Sequence, residues 1–214
     1  SLSGKEQLVR LAGRGLKLVG KGEAPCLLVY GVTGSQAAAR AARRQADAIL
    51  HRNGGLNTGQ FIGRQWEKSR FLFPYLRNTL WEMGYAIDTL ETATTWSKVP
   101  ETLDAIEQAL RAALEPFGER IHVFTHLSHL YPHGSSIYTT YVFRLASDPA
   151  ETLQRWQALK AAASQTIVTH GGTISHQHGV GLDHRPYLPA EKGPLGMSAL
   201  QSIARQFDPA GLMN

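Results

Sequence analysis

A chain of 214 residues that is 43% hydrophobic and 18% charged has the composition of a globular protein with a real core. Its longest apolar run, residues 25–32, is strand-sized, far short of the roughly 18 residues that suggest a membrane span. Its one cysteine, Cys26, excludes a disulfide framework and a cysteine-based metal site.

Other features narrow the class. The opening Ser1-Leu2-Ser3-Gly4-Lys5 lacks the layout of a signal peptide, so the expected compartment is the cytoplasm, at most peripheral to a membrane. The formal charge of +5 leaves an anionic ligand open. Arg40, Arg43 and Arg44, however, lie on an Ala-rich helix and read as a solvated face. Gly31-Val32-Thr33-Gly34-Ser35 lacks the second half of any nucleotide fingerprint. The chain does not open on Met and closes on residues 207–214 in mid-motif, so it is expected to be a piece of a longer protein.

In chain order, residues 4–17 read as a short helix and residues 26–32 as an apolar strand covered on both faces. Ser35 caps a helix that runs to Arg52 and ends at Gly54-Gly55. Residues 71–83 are expected to be helical, interrupted near Pro74 and stopped by Gly84, and residues 85–94 form a strand. Residues 100–117 show the clearest helical period, with Leu103, Ile106, Leu110 and Leu114 on one stripe. Two antiparallel strands follow, 121–130 and 135–145, joined by Tyr131-Pro132-His133-Gly134. A helix over 149–169 stops at Gly171-Gly172, and the tail holds another around 197–206. This order predicts an α+β fold: a four-stranded, ferredoxin-like antiparallel sheet with helices on one face, followed by a Gly/His-rich C-terminal segment.

Strand parity assigns the faces. Ile121, Val123, Leu127, Ile137, Tyr141, Phe143 and Leu145 should pack under the helices. His122, Phe124, His126, Tyr138, Thr140 and Arg144 then share an open, polar, aromatic face.

The densest polar constellation is the run Gly171-Gly172-Thr173-Ile174-Ser175-His176-Gln177-His178-Gly179-Val180-Gly181. Glycines admit close backbone approach and unusual dihedrals, and histidines move protons near neutral pH. This run resembles the C-terminal motif of FAD-linked oxidases of the vanillyl-alcohol-oxidase type. The nearest likeness is to the alkyldihydroxyacetonephosphate synthase branch, where three histidines precede Gly-Val-Gly. Further segments match in the same order: Gly54-Gly55 with Gly59 and Gly63, Pro74-Tyr75-Leu76-Arg77, Glu91-Thr92 with Trp96 and Val99, Ser136-Ile137-Tyr138, and Asp208-Pro209 through Asn214.

The resemblance implies that residues 1–214 are a substrate-side cap domain, whose own N-terminal FAD-binding domain is absent and carries most of the cofactor contacts. The fragment alone would be inactive. The family's active-site tyrosine falls on Tyr138, its substrate-anion arginine on Arg77 and its histidine motif on His176, Gln177 and His178. The expected roles are catalysis for Tyr138, His176 and His178, binding of an anionic substrate by Arg77 and His126, and cofactor contact by Gln177, Gly179 and Asn214. Gln177 departs from the synthase, which has a histidine there, and glutamine cannot exchange a proton at neutral pH. Related 2-hydroxy-acid dehydrogenases hold a metal with two histidines and a glutamate. Their glutamate falls on Gln177, and parity sets His126 and His129 on opposite faces, so no metal is expected.

These readings lead to a flavin-dependent synthase-like enzyme of lipid metabolism, with oxidation of a D-2-hydroxy acid as the alternative. A homodimer is compatible with either. A basic nucleic-acid module is the remote alternative, and the strands lack the aromatic stacking motif it would need.

Overall fold

The structure, a computed structural model, describes residues 27–213. The predicted helix at 4–17 lies outside them, as do Cys26 and Asn214. The chain divides into two compact units, Ser1–Phe73 and Pro74–Asn214.

In the first unit, Ser35 caps α1 (Gln36–Arg52) by accepting the Ala38 amide, as its sequence position predicts. Asn53 ends the helix, and the Gly55 amide donates back to the Leu50 carbonyl at 2.8 Å. The expected strand at 26–32 is not found in its described part. Residues 27–32 carry no regular structure, and Leu27 and Leu28 are exposed, because no neighbouring strand pairs with them among the described residues. The sequence also concealed α2 (Phe61–Ser69), which leads into a 3-10 turn over Arg70–Tyr75.

In the second unit, α3 (Leu76–Glu82) is followed by β1 (Tyr85–Thr95), α4 (Val99–Ala113), β2 (Ile121–Leu130), β3 (Gly134–Arg144) and α5 (Pro149–Thr169). The strands form one antiparallel sheet in the order β1-β3-β2. That is the α+β, ferredoxin-like arrangement expected, with three strands among the described residues in place of four. α4 stops earlier than its periodicity suggested, because Pro116 cannot continue the ladder, and a 3-10 turn over Glu115–Phe117 follows. After α5 come the short α6 (Gly181–His184) and α7 (Leu188–Phe207), which is kinked at Gly193, where φ is 66°.

The core lies between the sheet and helices α4 and α5. Ile106, Leu110 and Leu114 meet Leu159, Ala163 and Ile167 over Tyr141 and Phe143, all of them buried. Parity holds for Ile121, Val123, Ile137, Tyr141 and Phe143, which are buried, and for His122, Phe124, His126 and Arg144, which are exposed. It fails at Leu127, which is exposed, where the β2–β3 register slips between Leu127 and Leu130.

A hydrogen-bonded carboxylate sits under the helices. The Asp88 carboxylate accepts from the Trp156 indole at 2.7 Å, the Tyr141 hydroxyl at 3.1 Å and the Thr89 amide at 2.7 Å, and it pairs with Lys160 at 3.1 Å. Burial pushes its pKa up, but the Lys160 charge and the hydrogen bonds from Trp156 and Thr89 outweigh burial and hold it below the ordinary aspartate range. Burial, reinforced by the Asp88 charge, drives the Tyr141 hydroxyl far above the usual phenol range.

A carboxylate with a depressed folded pKa stabilises the fold above its unfolded pKa, and that contribution is lost as pH falls through the folded value. Asp88→Asn should therefore cost about 1–3 kcal/mol at neutral pH and flatten the acid limb of stability. Denaturant unfolding at stepped pH reads both effects; an unchanged acid limb would refute the assignment.

Candidate active site

β3 is the central strand, so its open-face side chains have neighbours on both sides. The register pairs Tyr138 with Glu91 on β1 and with His126 on β2. These three side chains form one row across the face away from the helices. The Tyr138 ring lies 5.1 Å from that of His126. Beyond His126 the irregularity in β2 brings Ser128 and His129 over toward Glu91, and the His129 Nδ1 stands 3.1 Å from Glu91 Oε1.

The Gly/His segment completes the arrangement. It leaves α5 through Gly171, whose φ is 69°, and Gly172, where a Cβ would meet Thr92 Oγ1 at 2.5 Å. It then follows the outer edge of β1: the Thr173 amide donates to the Ala93 carbonyl at 3.1 Å and the His176 amide to the Glu91 carbonyl at 3.0 Å. Thr92 Oγ1 donates to the Thr173 carbonyl at 2.7 Å. The segment thus occupies the edge where a fourth strand would pair. Ile174 plugs into the core at 2% exposure. Glu191 on α7 clasps the segment from behind, accepting from the Ile174 amide at 2.7 Å and from Thr173 Oγ1 at 3.1 Å. Burial raises the Glu191 pKa, but these bonds and Lys192 outweigh it and hold the carboxylate ionised.

Beyond Ser175 the chain turns sharply. Gln177 is the one non-glycine residue in the left-handed region among those described, at φ 64°, and Gly179 follows at φ 75°. Ser175 Oγ donates to the Gly179 carbonyl at 2.6 Å and ties the turn. The turn directs His176 and His178 at the same carboxylate.

That carboxylate is Glu91, 5% exposed. Its Oε1 takes Ser128 Oγ at 2.5 Å, His129 Nδ1 at 3.1 Å and His176 Nδ1 at 3.1 Å, and its Oε2 stands 3.1 Å from His178 Nε2. Burial pushes its pKa up, but the hydrogen bonds from Ser128, Ser136, His129 and His176 outweigh burial and keep it below the ordinary range. His176 has both ring nitrogens engaged, since its Nε2 meets the Tyr131 hydroxyl at 3.0 Å. His178 differs: Nε2 is held by Glu91, its ring lies 5.7 Å from Tyr138, and Nδ1 has no protein partner among the described residues. The Tyr138 hydroxyl, the His126 ring nitrogens and the Gln177 amide are likewise without hydrogen-bonding partners there. Structural polar groups and ligand-ready ones therefore separate cleanly on one face.

The structure brings together Tyr138, His126, His176, Gln177, His178 and Gly179. It does not bring Arg77 to them, although Arg77 was expected to bind the anionic substrate together with His126. Arg77, on α3, lines a cavity of about 500 Å³ with Trp81, Asp88, Phe143, Trp156 and Lys160. Those sheet residues face the helices, whereas Tyr138 faces away. The parity that set His126 and His129 on opposite faces is also overturned, because the register shift carries His129 to the open side. Glu91 and His129 were not expected as site residues. Glu91 had a signal, one of two acids, with Asp88, in an otherwise apolar and threonine-rich strand, and the one that parity sets on the face opposite Asp88.

Replacing Gly172 by Ala would drive a methyl group into Thr92 Oγ1 and Ile167 Cγ2, at 2.5 and 3.3 Å. The expected cost is about 1–3 kcal/mol, read by thermal unfolding. Thr92→Ala in the same chain should recover part of it; no recovery would mean that the close approach is not the cause.

Known proteins resemble this arrangement. A family model described as FAD linked oxidases, C-terminal domain, matches residues 6–214. The chain is 23% identical over 188 residues to the alkyldihydroxyacetonephosphate synthase of Trypanosoma brucei brucei, covering 88% of this chain and 30% of that protein. It is 30% identical over 69 residues to the D-2-hydroxyglutarate dehydrogenase of Stutzerimonas stutzeri (strain A1501), covering 32% of this chain and 15% of the other. A solved structure of alkyldihydroxyacetonephosphate synthase superposes with a TM-score of 0.56 at 17% identity, over 81% of this chain and 27% of that one, a likeness of fold. The chain spans about a third of the length of the synthases it matches. With a match that runs over nearly all of its length, the chain belongs to the family of FAD linked oxidases, C-terminal domain.

Proposed function

We propose that this chain is the substrate-side part of an FAD-dependent enzyme, and that the open sheet face bearing Tyr138, His126 and His178 is the wall it presents to the reacting groups. Family membership implies FAD, which when bound supplies the redox chemistry. A separate N-terminal FAD domain of the same enzyme is the proposed partner. One observation carries the reading: on this face the Tyr138 hydroxyl, His178 Nδ1, the His126 nitrogens and the Gln177 amide are free of protein partners among the described residues, while Glu91 and His176 are fully engaged behind them.

Such a face suits a planar, polar-edged ring system and a small oxygenated substrate. Its rings offer flat apolar contact, and their unpaired nitrogens and hydroxyl offer hydrogen bonds. Gln177 and Gly179, at the exposed turn, are the residues proposed to meet the cofactor. Tyr138 is proposed to hand a proton or hydrogen bond to a substrate oxygen. His178 is proposed to accept or stabilise a proton at Nδ1, with Nε2 standing 3.1 Å from Glu91 Oε2. His176, with both nitrogens engaged, is proposed to orient the loop rather than move protons.

The favoured reaction is synthase-like, on an acylated dihydroxyacetone phosphate ester, because synthases match over most of this chain. The alternative is D-2-hydroxy-acid oxidation, favoured by the shorter dehydrogenase match. Full-length protein with its flavin should turn the ester over. Bleaching by an anaerobic D-2-hydroxy acid without ester turnover would select the alternative. Tyr138→Phe should slow turnover by roughly 10²-fold and leave flavin content intact. Turnover unchanged in this variant would remove Tyr138 from the chemistry.

A further inference from the structure

Behind the ligand-ready face, three donor atoms from three separate segments converge with the spacing of a metal coordination shell. They are Glu91 Oε1 on β1, His129 Nδ1 on β2 and His176 Nδ1 on the Gly/His segment, all within 4.8 Å of one another. Each imidazole nitrogen stands 3.1 Å from the carboxylate oxygen. Ligands at the roughly 2.0–2.2 Å bond lengths of a tetrahedral zinc site are about 3.3 Å apart, which is close to the separation of each imidazole nitrogen from the carboxylate oxygen.

The chemistry of the donors agrees. Two imidazoles and one carboxylate form a set that suits divalent transition metals and leaves a fourth position open. Glu91 is buried, and its Oε1 faces both imidazole nitrogens. The His129 side chain is 42% exposed, which gives an ion a path in.

A second ring of contacts holds the donors in place. The Tyr131 hydroxyl meets His176 Nε2 at 3.0 Å, the outer-nitrogen contact that orients a ligating histidine. Ser136 Oγ accepts from the His129 amide at 2.8 Å and lies 2.7 Å from Ser128 Oγ, which fixes the irregular turn of β2. Glu91 Oε2 remains occupied by His178, so an ion on Oε1 would not displace the proposed proton-handling residue.

We propose that Glu91, His129 and His176 form a binding site for a divalent first-row transition metal ion of the zinc class. The carboxylate comes from β1, and Gln177 takes no part. The site therefore does not coincide with the position suggested by likeness to the metal-dependent hydroxy-acid dehydrogenases. Nor does it depend on the flavin reading, because its donors are not the groups left free on the sheet face.

The test is metal uptake by the full-length protein, stripped with chelator, dialysed and titrated with ZnCl₂ in a calorimeter. Co²⁺ serves as a second probe, its visible absorption reporting a four-coordinate nitrogen and oxygen environment. One equivalent should bind, with His129→Ala and His176→Ala each weakening affinity at least tenfold. His122→Ala, an exposed histidine on the same sheet, should bind as the parent does. Circular dichroism confirms that the variants fold; His129 is half-exposed, so its removal should leave the fold intact even if that of His176 does not. Absence of stoichiometric uptake overturns the proposal. So does uptake that survives His129→Ala, which would place the ion elsewhere. Activity is not needed for either readout, so failure here leaves the flavin reading untouched.

Discussion

The open face is organised around one buried carboxylate. Glu91 is held by side chains from β2, β3 and the Gly/His segment, and each of those contacts positions something else. Through Ser128 and His129 it draws the irregular end of β2 across the sheet. Through His176 and His178 it pins the exposed turn that carries Gln177. Burying an ionised carboxylate costs several kcal/mol unless hydrogen bonds replace its water. The serines and imidazoles supply them, so the site must assemble as a unit.

The sheet edge explains why the loop can be reached at all. Among the described residues the sheet has three strands with β1 at one edge, and sheet edges invite a partner. Residues 173–176 accept that invitation with two backbone hydrogen bonds and then depart, because the turn at Gln177 abandons extended geometry. A full fourth strand would have alternated its side chains above and below the sheet. The half-paired segment instead sends Ile174 into the core and both histidines to the open face. Its glycines serve this path in different ways: Gly172 permits close approach to Thr92, and Gly179 permits the left-handed turn.

The two faces of the sheet therefore carry two different electrostatic centres. Under the helices, Asp88 gathers Trp156, Tyr141 and Lys160 into a stabilising network. On the other side Glu91, three residues on, gathers histidines. Odd spacing along a strand places neighbouring acids on opposite faces, so two carboxylates of similar chemistry serve stability and site without interfering. The Arg77 cavity belongs to the first centre by location, which separates any anionic anchor there from the row containing Tyr138.

Local pattern was enough to determine much of this protein. The apolar stripe of α4, the capping Ser35, the strands β1 to β3 and the face on which Tyr138 and His126 lie follow from periods of 3.6 and 2, which depend only on neighbours in the chain. The ordered motifs of the Gly/His run and its companions carried the family. Tertiary structure alone decided the rest. Glu91 became central because register sets it beside Tyr138 and because a loop 85 residues away returns to its edge. His129 crossed to the open face because one irregularity in β2 reverses parity beyond it. Residues 27–32 lost their strand because a strand exists only where another pairs with it. Arg77 left the site because a helix direction is set by packing and not by its own sequence. In each case the deciding contact joins residues distant in the chain, and no periodicity encodes which distant residue will arrive.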